Sequence, residues 1–74
     1  MHAGMRLSRH ARNEMRLYGI ASEDVESAAG DPVAREVGER GNKRLTGRTV
    51  DGRLIFVVVA GDDPDFVITV FLRS

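Results

Sequence analysis

Two apolar runs near the end of the chain, LIFVVVA at residues 54–60 and FVITVF at residues 66–71, constrain the fold more than any other feature. Both are rich in β-branched and aromatic residues, which favour strands. Each run is apolar at successive positions, as in strands that are buried on both faces. The short segment GDDPD separates them, so we expect two neighbouring antiparallel strands joined by a tight turn.

Two further strand candidates precede these runs. VAREVGE at residues 33–39 and KRLTGRTV at residues 43–50 have an extended rather than a helical period. The dipeptide Asp51–Gly52 then predicts a type I′ hairpin, a turn in which both central residues need positive φ. Three or four short strands connected in this way indicate an antiparallel meander.

The first part of the chain has a helical period instead. Ser8 can cap a helix N-terminus, and Gly19 supplies a C-terminal stop. Between them, apolar side chains recur at the spacing of one helix face, at Ala11, Met15 and Tyr18. We therefore predict a first helix between Ser8 and Gly19, with Tyr18 in the core.

A second, shorter helix is predicted from Ser22, which we expect to be its N-cap, to Gly30. Glu23 and Asp24 lie in its first turn, where the helix dipole favours acidic residues, and Asp31–Pro32 ends it. The expected fold class is therefore α+β, with two N-terminal helices packed on a three- to four-stranded antiparallel sheet. We expect one domain that spans residues 1–74.

Two short helices can cover only one face of such a sheet. Because the strands at 54–60 and 66–71 are apolar on both faces, the second face needs a cover of its own. A homodimer or a bound partner would supply it, and we expect a homodimer. The alternative is that loops and long arginine stems cover this face.

The composition excludes several classes of protein. The 74 residues include no cysteine, so the chain has neither a disulfide nor a thiolate metal site. No segment approaches the ~20 apolar residues of a membrane span, and the N-terminus lacks the apolar core of a signal peptide. We expect a cytoplasmic protein that does not associate with a membrane.

The charges cancel over the whole chain but not locally. Eleven basic and eleven acidic residues give a formal net charge of zero, which disfavours a protein that coats nucleic acid without specificity. Residues 1–18, however, hold four arginines and one acid, and residues 35–53 hold six basic groups and three acids, so each block sums to +3. If the two blocks share a face, they form a positive surface; otherwise they are ordinary solvated charges.

His10 lies among arginines on the first predicted helix, at the margin of its apolar stripe. Glu14 follows one turn later, so the two side chains can form a pair. A catalytic histidine oriented by a carboxylate has this arrangement, and so does an inert pair on a helix surface. A metal site would need a third ligand that the sequence does not offer, and we therefore expect no cofactor.

The order of these motifs resembles a known family. SRHARNEMRLYGIASEDVESA, a basic strand with a glycine, a DGR hairpin and a closing VITVF strand resemble the small bacterial domain-of-unknown-function family 4258, from about Arg6 to Phe71. The resemblance rests on His10–Ala11, Gly19–Ile20, Gly47, Gly52 and Arg53. Because that family is similar to the RelE-type toxins, the resemblance implies a RelE-like domain, an RNA substrate and an antitoxin-like protein partner.

The same residues supply a candidate site. A ribonuclease that uses no metal needs a general acid or base and cations on the developing phosphorane charge. His10 is the acid–base candidate, and Arg53 and Arg73 are the catalytic cations that we predict. In the basic strand, alternation places Arg44 and Arg48 on one face and Lys43 on the other. The predicted nucleic-acid-binding residues are Lys43, Arg44, Arg48 and Arg12.

Two functions remain open. The first is a small RelE-like domain that binds RNA, either as a binding protein or as a toxin-type, metal-independent endoribonuclease. The second is a non-catalytic protein-interaction module that dimerises or docks on a partner through the open face of its sheet. The zero net charge favours the second function, as does Leu45, where relatives have an aromatic residue before Thr–Gly.

Overall fold

A computed structural model describes residues 5–73, in which two helices lie on one face of a five-stranded sheet. The elements in chain order are β1 (Arg6–Leu7), α1 (Arg9–Tyr18), α2 (Ser22–Gly30), β2 (Ala34–Val37), β3 (Lys43–Arg48), β4 (Leu54–Ala60) and β5 (Asp63–Leu72). A single 3₁₀ turn, Glu39–Gly41, connects β2 to β3. No helix within residues 5–73 has the length and apolar character that crossing a membrane requires.

The strand order is β1-β5-β4-β3-β2, and the sheet is mixed. Strands β2 to β5 form the antiparallel meander that the turn signals predict. β1 instead pairs in parallel with β5, through Arg6 opposite Phe66 and Leu7 opposite Val67. The α+β class is thus confirmed. The prediction of a purely antiparallel sheet is wrong, because a strand of two residues is too short to produce a period in the sequence.

The two helices begin and end close to their predicted positions. The Ser8 hydroxyl accepts from the Ala11 N–H at 3.0 Å and donates to the Ile68 carbonyl, which ties the start of α1 to β5. Gly19, at φ 66°, ends α1 in the left-handed conformation that glycine favours. In α2 the N-cap is Ala21 rather than Ser22, and the Asp24 carboxylate accepts from the Ala21 N–H at 2.9 Å.

The core lies between the helices and the sheet. Its ten buried hydrophobic residues include no aromatic side chain within the described chain: Ala11, Met15, Ile20, Val25, Ala28, Ile55, Val57, Val59, Val67 and Val70. Tyr18 is 37% exposed, so its predicted place in the core is wrong. Ile20, after the chain reversal at Gly19, supplies the buried side chain at this end of α1 instead.

The β3–β4 connection is a hairpin, but not of the predicted type. Within residues 49–53 only Gly52 has a positive φ, of 91°, whereas a type I′ turn would need Asp51 to have one too. The Thr49 N–H donates to the Arg53 carbonyl at 2.8 Å, and the Gly52 N–H donates to the Thr49 carbonyl at 3.0 Å. The longer loop closed by these bonds removes the need for positive φ at Asp51.

Strand β5 differs from its prediction at both the start and the middle. It begins at Asp63, so part of GDDPD is strand rather than turn. Val58 pairs with Thr69 and Val59 with Val67, which leaves Ile68 as an extra residue in β5. Such a bulge bends and twists the strand locally.

Gly47 allows α2 to approach the sheet closely. A Cβ atom at this position would lie 2.4 Å from the Ala28 carbonyl oxygen and 2.6 Å from the Ala28 Cα. Both of these atoms belong to the backbone of α2, so neither can move without displacing the helix. The spacing between α2 and β3 therefore depends on glycine at position 47.

We predict that Gly47→Ala lowers the free energy of unfolding by about 1–3 kcal/mol, because the added methyl overpacks the contact with α2. Gly30→Ala is the control, since a Cβ at Gly30 meets nothing within 4 Å. Urea denaturation measures both variants. Equal stability of the Gly47→Ala and Gly30→Ala proteins would contradict the close packing of α2 on β3.

Candidate functional site

The face of the sheet opposite the helices, called the open face below, carries all three phenylalanines of the chain. Strand register and alternation assign it the residues Arg6, Ala34, Glu36, Arg44, Thr46, Arg48, Leu54, Phe56, Val58, Phe66, Thr69, Phe71 and Arg73. The phenylalanine rings are half-buried by their neighbours. The aromatic side chains of the sheet are therefore at its surface, and the aliphatic ones are in the core.

The largest group of contacts on the open face is a stack at its centre. The Arg44 guanidinium carbon lies 4.9 Å from the centroid of the Phe56 ring. Phe56 in turn contacts Phe71, with ring centroids 4.9 Å apart and planes inclined by 35°. The Arg44 Nε donates to Glu36 Oε1 at 2.8 Å, and Nη2 reaches the same oxygen. A carboxylate on β2 thus holds the arginine over the Phe56 ring.

A second stack lies at the β1 edge of the open face. The Arg6 guanidinium carbon is 5.6 Å from the Phe66 ring centroid, and its Nη2 pairs with the Asp63 carboxylate. The arrangement repeats that of Arg44, with an acid, an arginine and a phenylalanine in contact. In both stacks the guanidinium group covers part of a phenylalanine ring.

The predicted RNA-binding residues fall on two sides of the sheet. Arg44 and Arg48 share the open face, and alternation places Arg73 there as well. Lys43 lies on the helix side, where it lines a cleft of about 360 Å³ between the end of α2 and the sheet. Arg12 is exposed on α1, which covers the helix side. Of the two basic blocks, Arg6 thus shares the open face with Arg44 and Arg48, whereas Arg12 and Lys43 lie on the helix side.

His10 is also on the helix side of the molecule. Its Nε2 lies 3.7 Å from Glu14 Oε1, so the predicted pair is present, and its side chain is 67% exposed. The structure does not bring it near the arginines of the open face, because the sheet lies between them. The catalytic assignment of His10 stays a prediction, and its exposed ring is not part of the core.

We predict that His10→Gln leaves the free energy of unfolding within about 0.5 kcal/mol of the wild-type value, since an exposed ring contributes little to packing. Thermal and urea unfolding measure the effect. A loss above about 1 kcal/mol would show that the ring supports the fold.

Arg53 is engaged by the protein itself. Its Nη1 donates to the Tyr18 carbonyl at 3.2 Å, its Nη2 to the Gly19 carbonyl at 3.1 Å, and its Nε to Asp51 Oδ1 at 3.2 Å. It thereby satisfies carbonyl groups at the end of α1 and joins this helix to the β3–β4 hairpin. A phosphate would have to compete for these donors, so the geometry favours a structural role for the predicted catalytic cation Arg53.

The carboxylate of Asp24 completes this joint. It is buried, and besides the Ala21 N–H it accepts from the Val50 N–H at 2.9 Å. Arg53 Nη2 lies 3.8 Å from Asp24 Oδ2. On the exposed side of the joint, hydrogen bonds from Thr49 and Arg53 lower the pKa of Asp51. The first turn of α2, the hairpin and the end of α1 are thus held together by polar contacts.

We predict that Asp24→Asn destabilises the protein by about 1–3 kcal/mol. An amide has one acceptor oxygen, so one of the two backbone N–H groups would lose its partner. Glu23→Gln, which removes the same charge from the neighbouring exposed residue, is the control. If both variants unfold at the same urea concentration, the buried carboxylate does not hold the joint.

Within residues 5–73, no three side chains of the His, Asp and Glu types lie close enough to hold a metal ion. The open face consequently offers stacking surfaces and arginine donors rather than a metal centre. Its chemistry suits the binding of flat aromatic groups and of anions.

Together, these features define a small α+β domain with two helices on one face of a mixed sheet and an exposed face of phenylalanine and arginine. The chain matches the family described as Domain of unknown function (DUF4258) over residues 7–72. It belongs to that family. No curated protein and no solved structure matches it.

Sequence reasoning missed several residues of the open face, namely Arg6, Glu36, Phe56, Phe66 and Phe71. One signal could have found two of the rings: in β4 and near the end of β5, Phe56 and Phe71 are out of phase with the buried valines, Val57 and Val70. Arg6 carried no such signal, because its position depends on the pairing of β1 with a strand about sixty residues away.

Proposed function

We propose that this domain binds single-stranded RNA on its open face. The observation that carries the proposal is the pair of stacks in which Arg44 lies over Phe56 and Arg6 lies over Phe66. Proteins recognise unpaired bases by stacking them on aromatic rings and on guanidinium planes. Two such stacks on one sheet supply positions for separate bases of one strand.

The charge of the open face supports an anionic ligand. The open face carries four arginines, Arg6, Arg44, Arg48 and Arg73, and the carboxylate of Glu36. With Asp63, which pairs with Arg6 at the edge of the face, the local balance is +2 in a chain of zero net charge. Both carboxylates are paired with arginines. Arg48 and Arg73 are exposed, and they are the residues that we assign to phosphate contacts.

We propose binding without cleavage. A RelE-like endoribonuclease, restrained by an antitoxin-like partner, would need an acid or base beside the bound phosphate. Among the described residues at the open face, the carboxylates are Glu36 and, at the edge of the face, Asp63, and both are paired with arginines. His10, the predicted acid or base, lies on the other side of the sheet.

A homodimer through the open face is the second candidate. The half-buried apolar residues Leu54, Val58 and Phe71 favour it, because they would be covered by the same residues of a second copy. RNA bases and a second copy of the chain would compete for the open face. RNA binding that decreases as the protein concentration rises would therefore indicate the dimer.

The test is binding of a fluorescent single-stranded RNA of mixed sequence at ~50 mM salt. We expect Phe56→Leu to weaken binding by about 5- to 150-fold, since the loss of one stacked base is worth ~1–3 kcal/mol. Arg48→Gln should reduce the dependence of log K on log salt by about 0.7.

The matched control is Arg9→Gln, an equal change of charge on the exposed side of α1. It should leave binding almost unchanged. Equal losses for Arg9→Gln and Arg48→Gln, or no binding by the wild-type protein at ~50 mM salt, would refute the proposal. Shortened RNA on a gel, lost in the His10→Gln variant, would support the ribonuclease instead.

A further inference from the structure

Strand β2 forms one edge of the sheet and is exposed along its whole length. It pairs with β3 on one side, and no other strand of the described chain pairs with its outer side. Val33, which precedes the strand, is 64% exposed, and Val37, its last residue, is 75% exposed. An edge of this kind presents unpaired N–H and C=O groups to which another strand can add.

The other edge of the sheet is different. There β1 pairs with β5, and Ser8 continues the contact by donating its N–H to the Val67 carbonyl at 2.9 Å. Proteins protect exposed edges with proline, lysine or a bulge. β2 has the sequence AREV, with none of these devices, and it ends in an exposed valine. At this edge the protection consists of the short length of β2 and the charges of Arg35 and Glu36, which a strand of complementary charge can accommodate.

The side chains of β2 indicate which strand would fit. Arg35 and Val37 point to the helix side, because they lie opposite Leu45 and Lys43. Arg35 forms no ion pair with any residue between 5 and 73, whereas Glu36, on the open face, is neutralised by Arg44. A complementary strand therefore carries an acidic residue opposite Arg35 and apolar residues two positions away on each side.

We propose that β2 binds an extended segment of a partner protein, which adds to the sheet as a sixth strand. The segment has an acidic residue between two apolar ones in the alternating pattern apolar-x-acid-x-apolar. Backbone hydrogen bonds supply the affinity, and Arg35 with its flanking valines supplies the specificity. This surface is distinct from the open face and does not depend on RNA binding.

A second copy of the chain fits this edge poorly. In a twofold antiparallel pairing of β2 with itself, the residue at the centre lies opposite its own copy. Centres at Arg35 and Glu36 place like charges directly opposite each other, which is destabilising. If the centre of the pairing is moved to either end of β2, the paired segment includes Pro32 or the 3₁₀ turn that begins at Glu39. Neither of these belongs to the strand.

The test uses two peptides, acetyl-Lys-Thr-Val-Thr-Glu-Thr-Val-Thr-Lys-amide and the same peptide with lysine in place of glutamate. The central pattern reads the same in both directions, so neither strand orientation is assumed. Amide chemical shifts of the ¹⁵N-labelled full chain report binding and its location. We expect the glutamate peptide to bind at least ~10-fold more tightly, with the largest shifts in β2.

The decisive variant is Arg35→Glu, which should reverse the preference toward the lysine peptide. Arg9→Glu, the same charge reversal on α1, should leave the preference unchanged. An unchanged preference in Arg35→Glu, shifts confined to the open face, or no binding at about 1 mM peptide would overturn the proposal. RNA binding by Arg35→Glu should equal that of the wild type, so the two surfaces are tested separately.

Discussion

The arrangement of this domain depends on the contact between α2 and β3, where the backbone at Ala28 lies against Gly47 with no room for a side chain. Helices this close to a sheet leave a thin space, and the buried residues that fill it are aliphatic side chains and one methionine. The larger phenylalanines lie on the other face. The aliphatic core and the aromatic open face are thus separated by the sheet.

Much of the fold is predictable because its signals are local. Ser8 and Gly19 specify the ends of α1 through a side-chain cap and a left-handed residue, and β4 is visible as seven consecutive apolar residues. The features that escaped prediction depend on distant partners. β1 exists only through β5, and Asp24 is buried because it bonds to Val50, twenty-six positions away. No period in a single sequence encodes such contacts.

In the candidate site, too, the local features were predictable and the contacts between distant residues were not. Alternation within β3 was sufficient to place Arg44 and Arg48 on one face, but not to show that Glu36 holds Arg44 over a ring. Arg53 illustrates the opposite case: the DGR motif marked it as functional, whereas three of its nitrogens bond within the protein. Residue type alone does not separate an arginine that binds a ligand from one that closes a helix end.

The location of the aromatic side chains also determines what an optical or NMR experiment can observe. The chain has no tryptophan, its one tyrosine lies at the end of α1 beside the Arg53 joint, and its three phenylalanines lie on the open face. Tyr18 fluorescence therefore reports on the surroundings of the end of α1. The phenylalanine ring protons report on occupancy of the sheet surface, so folding and ligand binding have separate intrinsic probes and require no label.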